Sequence, residues 1–495
     1  MAKNIILCAD GTGNKGGYTP DSNVYKMYKA IEIHDKSVSQ YTFYDNGVGT
    51  STNKYWRAFT GAIGIGIKHN VMDLYRFLSL NYVPGDKVFL FGFSRGAATI
   101  RGFCGFINAV GLVNGKPLSD EQLKDYTCDA FEAYESHRKD PQRAERFRTH
   151  RHSHGIIDIH FVGVWDTVSA LGFPKRTDRM GITLNILSVV FWCLERLSNL
   201  VWPHLFYNYE LSKNIKHAYQ ALAIDDERTA FWPKVWDEVK AGRTPQDVEQ
   251  VWFSGMHSNV GGGYERQGMA NVTMHWMMLR AQQQGLKFKP GFVEGVYQDS
   301  NIHGRLYNSR DGFAIYYRYH PRIITRLCEG RLLGNIKVHE STCERLKKRT
   351  ANYAPFVLPS KCDIVGSDLD AKAKTIDLSE DDERNKQQKI INRGINIRKW
   401  LYGGLADLTA FVVAYVVYYS IYDEDDNVSL WSLIMKSITT GDYVSLGKNL
   451  IEYHLHAVLL VTLLLLFMWL IRKSAIARMK DAAEDIRSLV VSKLS

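Results

Sequence analysis

Short apolar runs recur along the first half of the chain, and the stretches between them carry helical spacing. The runs are IILCA (5–9), VFLFGF (88–93), IIDIHFVGVW (156–165), ALAI (221–224) and VEQVWFSG (248–255). Runs this continuous predict strands buried on both faces rather than strands with one wet side. Their alternation with helical segments from Asn4 to about Tyr264 predicts an α/β fold, a mostly parallel sheet covered by helices.

Further along, the apolar content changes character. Leu401 to Tyr422 is long enough to cross a bilayer and holds one acid, Asp407, near its entry end; Leu455 to Ile471 is shorter and uninterrupted. Arg384, Lys386, Lys389, Arg393, Arg398 and Lys399 precede the first run, and Arg472, Lys473, Arg478 and Lys480 follow the second, whereas the loop between carries Asp423, Glu424, Asp425 and Asp426. The positive-inside bias then predicts a two-helix transmembrane hairpin with both ends cytoplasmic, in a multi-pass protein of the cytoplasmic (inner) membrane. The competing reading is a pair of buried helices in a soluble bundle, and the second run lacks the polar face which that requires. A third apolar stretch, Thr183 to Trp202, is broken by Glu195 and Arg196 and followed by Pro203. It suits a lid or interfacial helix, or a core helix of an inserted subdomain.

Charge sharpens the choice of partner. A formal net charge of +10 fits nucleic acid or an anionic membrane surface. The basic residues cluster beside the apolar runs and no nucleic-acid-binding signature accompanies them, so the anionic membrane is the expected partner and nucleic acid is not. Seven cysteines, Cys8, Cys104, Cys128, Cys193, Cys328, Cys343 and Cys362, show no C-x-x-C spacing and read as reduced thiols. The N-terminus has no apolar core of signal-peptide length, so export through a cleaved signal is not expected. His150, His152 and His154 alternate, but Arg148 and Arg151 beside them oppose a dication. Gly61, Gly64 and Gly66 lack the Lys-Ser/Thr pair of a phosphate loop. No metal and no cofactor is expected.

The chemistry concentrates at Gly92-Phe93-Ser94-Arg95-Gly96, a G-x-S-x-G placed between the run VFLFGF and a helical segment. That context predicts the nucleophile elbow of an α/β-hydrolase-like fold, with Ser94 on a strained turn and Gly92 and Gly96 giving it clearance. A serine hydroxyl needs a base, and the base needs an acid to orient it. His257, in SGMHSNVGGGY, follows the run VEQVWFSG; Asp166 ends the run IIDIHFVGVW between Trp165 and Thr167, and Asp225 after ALAI is the alternative acid. The expected oxyanion donors are the backbone amides of Arg95 and of the turn after the first strand, Gly11 and Thr12. Asp10 in that turn is expected to orient it, with cation binding as the alternative. These expectations divide the chain into a catalytic domain over 1–285, with 183–208 as its lid or interfacial insertion, and an accessory subdomain over 286–378. A basic juxtamembrane helix (379–400), the hairpin (401–471) and a cytoplasmic tail (472–495) complete it.

CADGTGN, YDNGVGT, NYVPGDKVFLFGFSRGAA, GVWDTV and SGMHSNVGGGY, in this order over roughly residues 3 to 265, resemble the catalytic domain of type VI secretion phospholipase effectors. That family of bacterial α/β-hydrolase-like proteins was first catalogued as a domain of unknown function. The resemblance implies a Ser94–Asp166–His257 triad and phospholipase A-type ester hydrolysis. An Asp is expected where this chain has Asn259, and an aromatic where it has Ala9; neither position belongs to the triad. The expected protein is therefore a membrane-tethered serine ester hydrolase acting on membrane phospholipid, with its catalytic domain facing the cytoplasm and no protein partner specified. The alternatives are a hydrolase of a soluble acyl ester or thioester, or a catalytically silent membrane-bound scaffold.

Overall fold

The computed structural model describes residues 2–11, 13–14, 16–18, 20–46, 65–137, 140–169, 181–183, 185–186, 209–242, 244, 248–311, 314–315, 317–368, 372–422 and 430–494. Among them, nine strands pair into one sheet: β1 (Asn4–Ala9), β2 (Gln40–Asp45), β3 (Lys87–Phe93), β4 (Ile159–Trp165), β5 (Ile215–Ala223), β6 (Val248–Phe253), β7 (Ile336–His339), β8 (Lys361–Val365) and β9 (Lys374–Asp377). Their order is β2-β1-β3-β4-β5-β6-β7-β8-β9, parallel throughout except for the final antiparallel pair β8–β9. The apolar runs predicted this mostly parallel sheet. Edge strand β2, QYTFYD, escaped that pattern because only Gln40 in it is fully buried. β5 begins six residues before the ALAI run, at Ile215.

Because successive side chains on a strand point to opposite faces, each central strand feeds two cores. Ile5, Leu7 and Ala9 of β1 pack with α2 (Ile65–Asn81), α3 (Arg95–Val110), α4 (Asp120–Ser136) and α5 (Pro141–Arg148). Ile6 and Cys8 face the other side, against α1 (Asn23–Ala30) and α7 (Gly268–Gln283), with the one-turn helix α6 (His257–Gly261) leading into α7. The stretch 286–378, expected as an accessory subdomain, instead carries the same sheet onward through β7, β8 and β9, with α8 (Glu340–Lys347) beside them. Its strands are four or five residues long and mix charge with apolar side chains, which left them unreadable as strands.

Four helices close the chain: α9 (Asp382–Tyr422), α10 (Leu430–Thr440), α11 (Tyr443–Tyr453) and α12 (Leu455–Leu494). α9 and α12 are unbroken at 41 and 40 residues, each about 60 Å long. Both are long and apolar enough to cross a membrane, and their apolar windows are 6% and 0% buried. Phe411, Val413, Leu463 and Phe467 stand exposed along them. The acidic loop between the spans and most of the Thr183–Trp202 segment lie outside the described residues. The start of that segment is anchored: the backbone N–H groups of Ile182 and Thr183 donate to Asp407 of α9 at 3.2 and 2.7 Å.

The segments expected as a basic juxtamembrane helix and a cytoplasmic tail both pack against the sheet. Ile391 and Ile395 of α9 and Met479, Ala482, Ala483, Ile486 and Val490 of α12 join a third core with Trp252, Val338 and Cys362 of the sheet. Gly394 makes the seam possible, since a Cβ there would lie 2.3 Å from Met479 Cγ. Met479→Ala empties a position that is 0% exposed. It is expected to cost about 2–5 kcal/mol, read as a lower thermal midpoint of the detergent-solubilised protein with protease cleavage appearing near Gly394.

Candidate active site

β3 ends at Phe93 and α3 begins at Arg95, so Ser94 must reverse the chain between them. It does so at φ 58° and ψ −120°, a strained conformation for a residue with a Cβ. The small neighbours are obligatory: a Cβ on Gly96 would stand 2.1 Å from Ala9 O, and one on Gly92 2.7 Å from Ala97 Cα. Ser94 N donates to Trp165 O at 3.0 Å, locking the turn to the end of the adjacent strand β4.

The next residue there, Asp166, also has a positive φ, 42°, which turns its carboxylate back toward the elbow. His257 opens α6 after Gly255, whose φ of +116° bends the chain out of β6. Three strand ends thereby converge. His257 Nε2 lies 2.8 Å from Ser94 Oγ, and His257 Nδ1 lies 2.5 Å from Asp166 Oδ2. The imidazole is held between rings, with Phe93 at 4.6 Å and Phe231 edge-on at 5.1 Å. Gly261 leaves room for Phe93, because a Cβ there would come within 1.9 Å of its ring. Ser94 and His257 are 7% and 4% exposed.

Electrostatics around the acid rest on a residue that sequence reasoning missed. Arg322, like Asp166 fully buried, donates Nη1 to Asp166 Oδ1 at 2.7 Å and Nη2 to Oδ2 at 2.8 Å, and the Ala223 amide adds a third bond at 3.0 Å. Burial pushes the Asp166 carboxyl upward, but the Arg322 guanidinium and the His257 hydrogen bond outweigh it and hold the group well below the usual carboxylate range. Burial also lowers His257, against the pull of Asp166, so the ring rests neutral and able to accept a proton. Arg322 sits in YHPRIITRL, where no spacing marks it. Nor did anything mark Asp226, whose Oδ2 accepts from the His257 amide at 3.4 Å and pairs with Arg228 at 2.6 Å, or Arg228, which stacks on Phe231 at 3.6 Å.

Asp225, the alternative acid, turns elsewhere. It accepts from Gly255 N at 2.6 Å and from Tyr353 OH at 2.9 Å, and burial pushes its carboxyl up to about 6. Arg95 N–H, the other expected oxyanion donor beside the first-strand turn, opens α3, where an amide has no intrahelical acceptor. Gly11 stands against the site, a Cβ on it being 3.3 Å from Ser94 Cβ, but its N–H donates to Asp10 Oδ1 at 2.6 Å. Its amide is thus engaged by Asp10 rather than free beside Ser94; Thr12 lies outside the described residues. Asp10 orients the turn by accepting from Ser22 Oγ at 2.5 Å, Tyr44 OH at 2.7 Å and Asn14 Nδ2 at 3.1 Å. Asn259, where an Asp was expected, bonds to Arg305 O at 3.1 Å. The alternating histidines lie in turns after α5, with His150 and His152 rings 5.6 Å apart and His154 packed on Tyr82.

Residues 3–280 match the family model described as the T6SS phospholipase effector Tle1-like catalytic domain. The chain is 23% identical over 406 residues to the uncharacterized protein YEL023C of Saccharomyces cerevisiae, covering 59% of this chain and 58% of that one. It therefore spans little more than half the length of that relative. Similar solved structures include an uncharacterized protein from Pseudomonas aeruginosa (TM-score 0.39, 15% identity, 82% of this chain and 59% of that one) and the Tle1 effector bound to the VgrG spike of the type 6 secretion system (TM-score 0.35, 13% identity, 64% and 78%).

Removing the guanidinium tests the electrostatic account. Arg322→Met leaves a buried carboxylate uncompensated and is expected to cost about 3–5 kcal/mol at pH 7. Asp166, with its depressed folded pKa, contributes stability that is present above the ordinary carboxylate range and lost as pH falls through the folded value; His257, held neutral, acts with the same sign. In the variant Asp166 protonates more readily, so the gap between the two proteins narrows on acidification toward pH 4. Thermal midpoints from pH 4 to 8 check this, and a gap constant with pH would refute it.

Proposed function

The chain belongs to the Tle1-like phospholipase effector catalytic-domain family, and from that premise we propose that it is a membrane-tethered serine hydrolase cleaving acyl esters of membrane phospholipid by phospholipase A-type chemistry. The observation that carries this reading is the unbroken line from Ser94 Oγ through His257 Nε2 and Nδ1 to Asp166 Oδ2, at 2.8 and 2.5 Å.

In the proposed reaction, Ser94 Oγ bonds to the acyl carbonyl carbon while its proton passes to His257 Nε2. Asp166 holds the other ring nitrogen as N–H and offsets the charge of the imidazolium. The Arg95 amide donates to the developing oxyanion. The tetrahedral species collapses by breaking the bond to the lysolipid oxygen, which takes the proton from Nε2. Water, deprotonated by the same nitrogen, then hydrolyses the acyl-Ser94 ester and frees the fatty acid. Two features support tethering beside the substrate. α9 and α12 are long and apolar enough to span a bilayer, and both return to one third core, so an even number of crossings keeps both ends on the same side. Under the positive-inside bias, the basic flanks favour the cytoplasm for that side and for the hydrolase domain.

Ser94→Ala or His257→Ala is expected to lower ester turnover on the order of 10⁴- to 10⁶-fold, with fluorophosphonate labelling absent from Ser94→Ala. Labelling undiminished in that variant would sink the assignment. Asp166→Asn is expected to cost about 10³- to 10⁴-fold and Asp225→Asn far less, measured at a temperature where circular dichroism shows both variants folded. Since the base must be neutral and its folded pKa is lowered, the acid limb of kcat/KM is expected below the ordinary imidazole value of 6.5. A limb above that value would contradict the resting state described for His257.

A further inference from the structure

Where α9 and α12 leave the globular domain, a cavity of about 140 Å³ opens between them, apart from the residues around Ser94. Arg310, Arg398 and Arg472 line it together with Leu405, Leu465 and Met468, and no carboxylate does. Arg398 is neutralised by Glu227, through bonds of 2.9 and 2.8 Å. Among the described residues Arg310 and Arg472 form no ion pair; Glu227, bonded to Arg398, acts on Arg310 only from beyond ion-pair distance. Arg310 is 9% exposed; one nitrogen donates to the Ile315 carbonyl, its rings of contact are Tyr319 and Tyr402, and its Nε is buried without a partner. Arg472 makes no ion pair at all among the described residues, one residue beyond the apolar run of α12. Two guanidiniums without an ion pair, Arg310 buried and Arg472 part-buried, gathered beside apolar walls form a site suited to an anion with an apolar body.

We propose that this cavity binds the phosphate of an anionic phospholipid that is not the substrate in the active site. Arg310 and Arg472 contact the phosphate, and the acyl chains lie along the exposed apolar faces of α9 and α12 beside Leu405, Leu465 and Met468. Position favours a lipid over a soluble anion. Trp469 is half exposed with Lys473 Nζ 5.1 Å from its ring centroid, an arrangement suited to the headgroup level of a membrane. The site also adjoins the catalytic loop, because Glu227, which holds Arg398, follows Asp226, the acceptor of the His257 amide. The proposal rests on α9 and α12 being membrane spans; that reading fails separately, if alkaline carbonate strips the full chain from membranes.

The test uses the full chain carrying Ser94→Ala, so that no lipid is consumed, purified in neutral detergent and incubated with phosphatidic acid or phosphatidylcholine. Lipid retained by the protein is read by native mass spectrometry. Phosphatidic acid is expected to be held in preference, and R310Q/R472Q to weaken it about thirtyfold. Arg472→Gln alone, which breaks no hydrogen bond or ion pair among the described residues, is expected to weaken it about fivefold, and R310K/R472K to restore most retention. Equal retention of the two lipids, or phosphatidic acid held as well by the glutamine variants, overturns the proposal. So does displacement of the lipid by millimolar inorganic phosphate that by itself raises the thermal midpoint, which would give the site to free phosphate.

Discussion

A carboxylate with no exposure to water has to be neutralised by something equally buried, and in this protein that need ties together parts of the chain far apart in sequence. Asp166 stands at the end of β4 and Arg322 on the path to β7, 156 residues later, and their two parallel hydrogen bonds leave the carboxylate one oxygen to share with the imidazole. Arg322 is itself bound to the carbonyls of Ala223 and Phe231, at 2.6 and 2.5 Å. The guanidinium therefore connects the end of β5, the loop that packs on His257 and the acid. The segment beyond residue 280 is part of the site's electrostatics, although the family match ends there.

The same economy of contacts links the site to the long helices. Residues 225–228 follow β5 as Asp-Asp-Glu-Arg, and each points to a different neighbour: Asp225 to Tyr353, Asp226 to the His257 amide, Glu227 to Arg398 of α9, Arg228 to the face of Phe231. Four consecutive charged residues would ordinarily be a solvated loop. Here burial and pairing make them the junction between the hydrolase sheet and the helix that continues into the apolar span. On the proposed reading, a substrate embedded in a bilayer meets a site whose base is supported by the element that enters that bilayer. Asp407 extends the connection, since the start of the third apolar segment is capped by this one acid of the span.

Much of this was legible in the sequence because it is local. Continuous apolar runs announce strands buried on both faces, and a glycine two positions either side of Ser94 between strand and helix announces a sharp turn. Long runs without a polar face mark α9 and α12. The order of Ser94, Asp166 and His257 along the chain, each at a strand end, made them candidates, since a parallel sheet brings those ends to one edge; Asp225, also after a strand, stayed open as the acid, and only packing turns it toward Tyr353. What the sequence could not contain was decided by packing between distant segments. β7 to β9 are too short and too mixed to carry a period, and only pairing with β6 makes them strands. The ends of α9 and α12 read as juxtamembrane and tail, yet they are core, because the apolar side of each is covered by a helix some eighty residues away. Arg322 has no neighbours in sequence that explain it, and neither does the commitment of the Gly11 amide to Asp10. A charge partner is chosen by who is buried beside whom, and that is known only once the chain has folded.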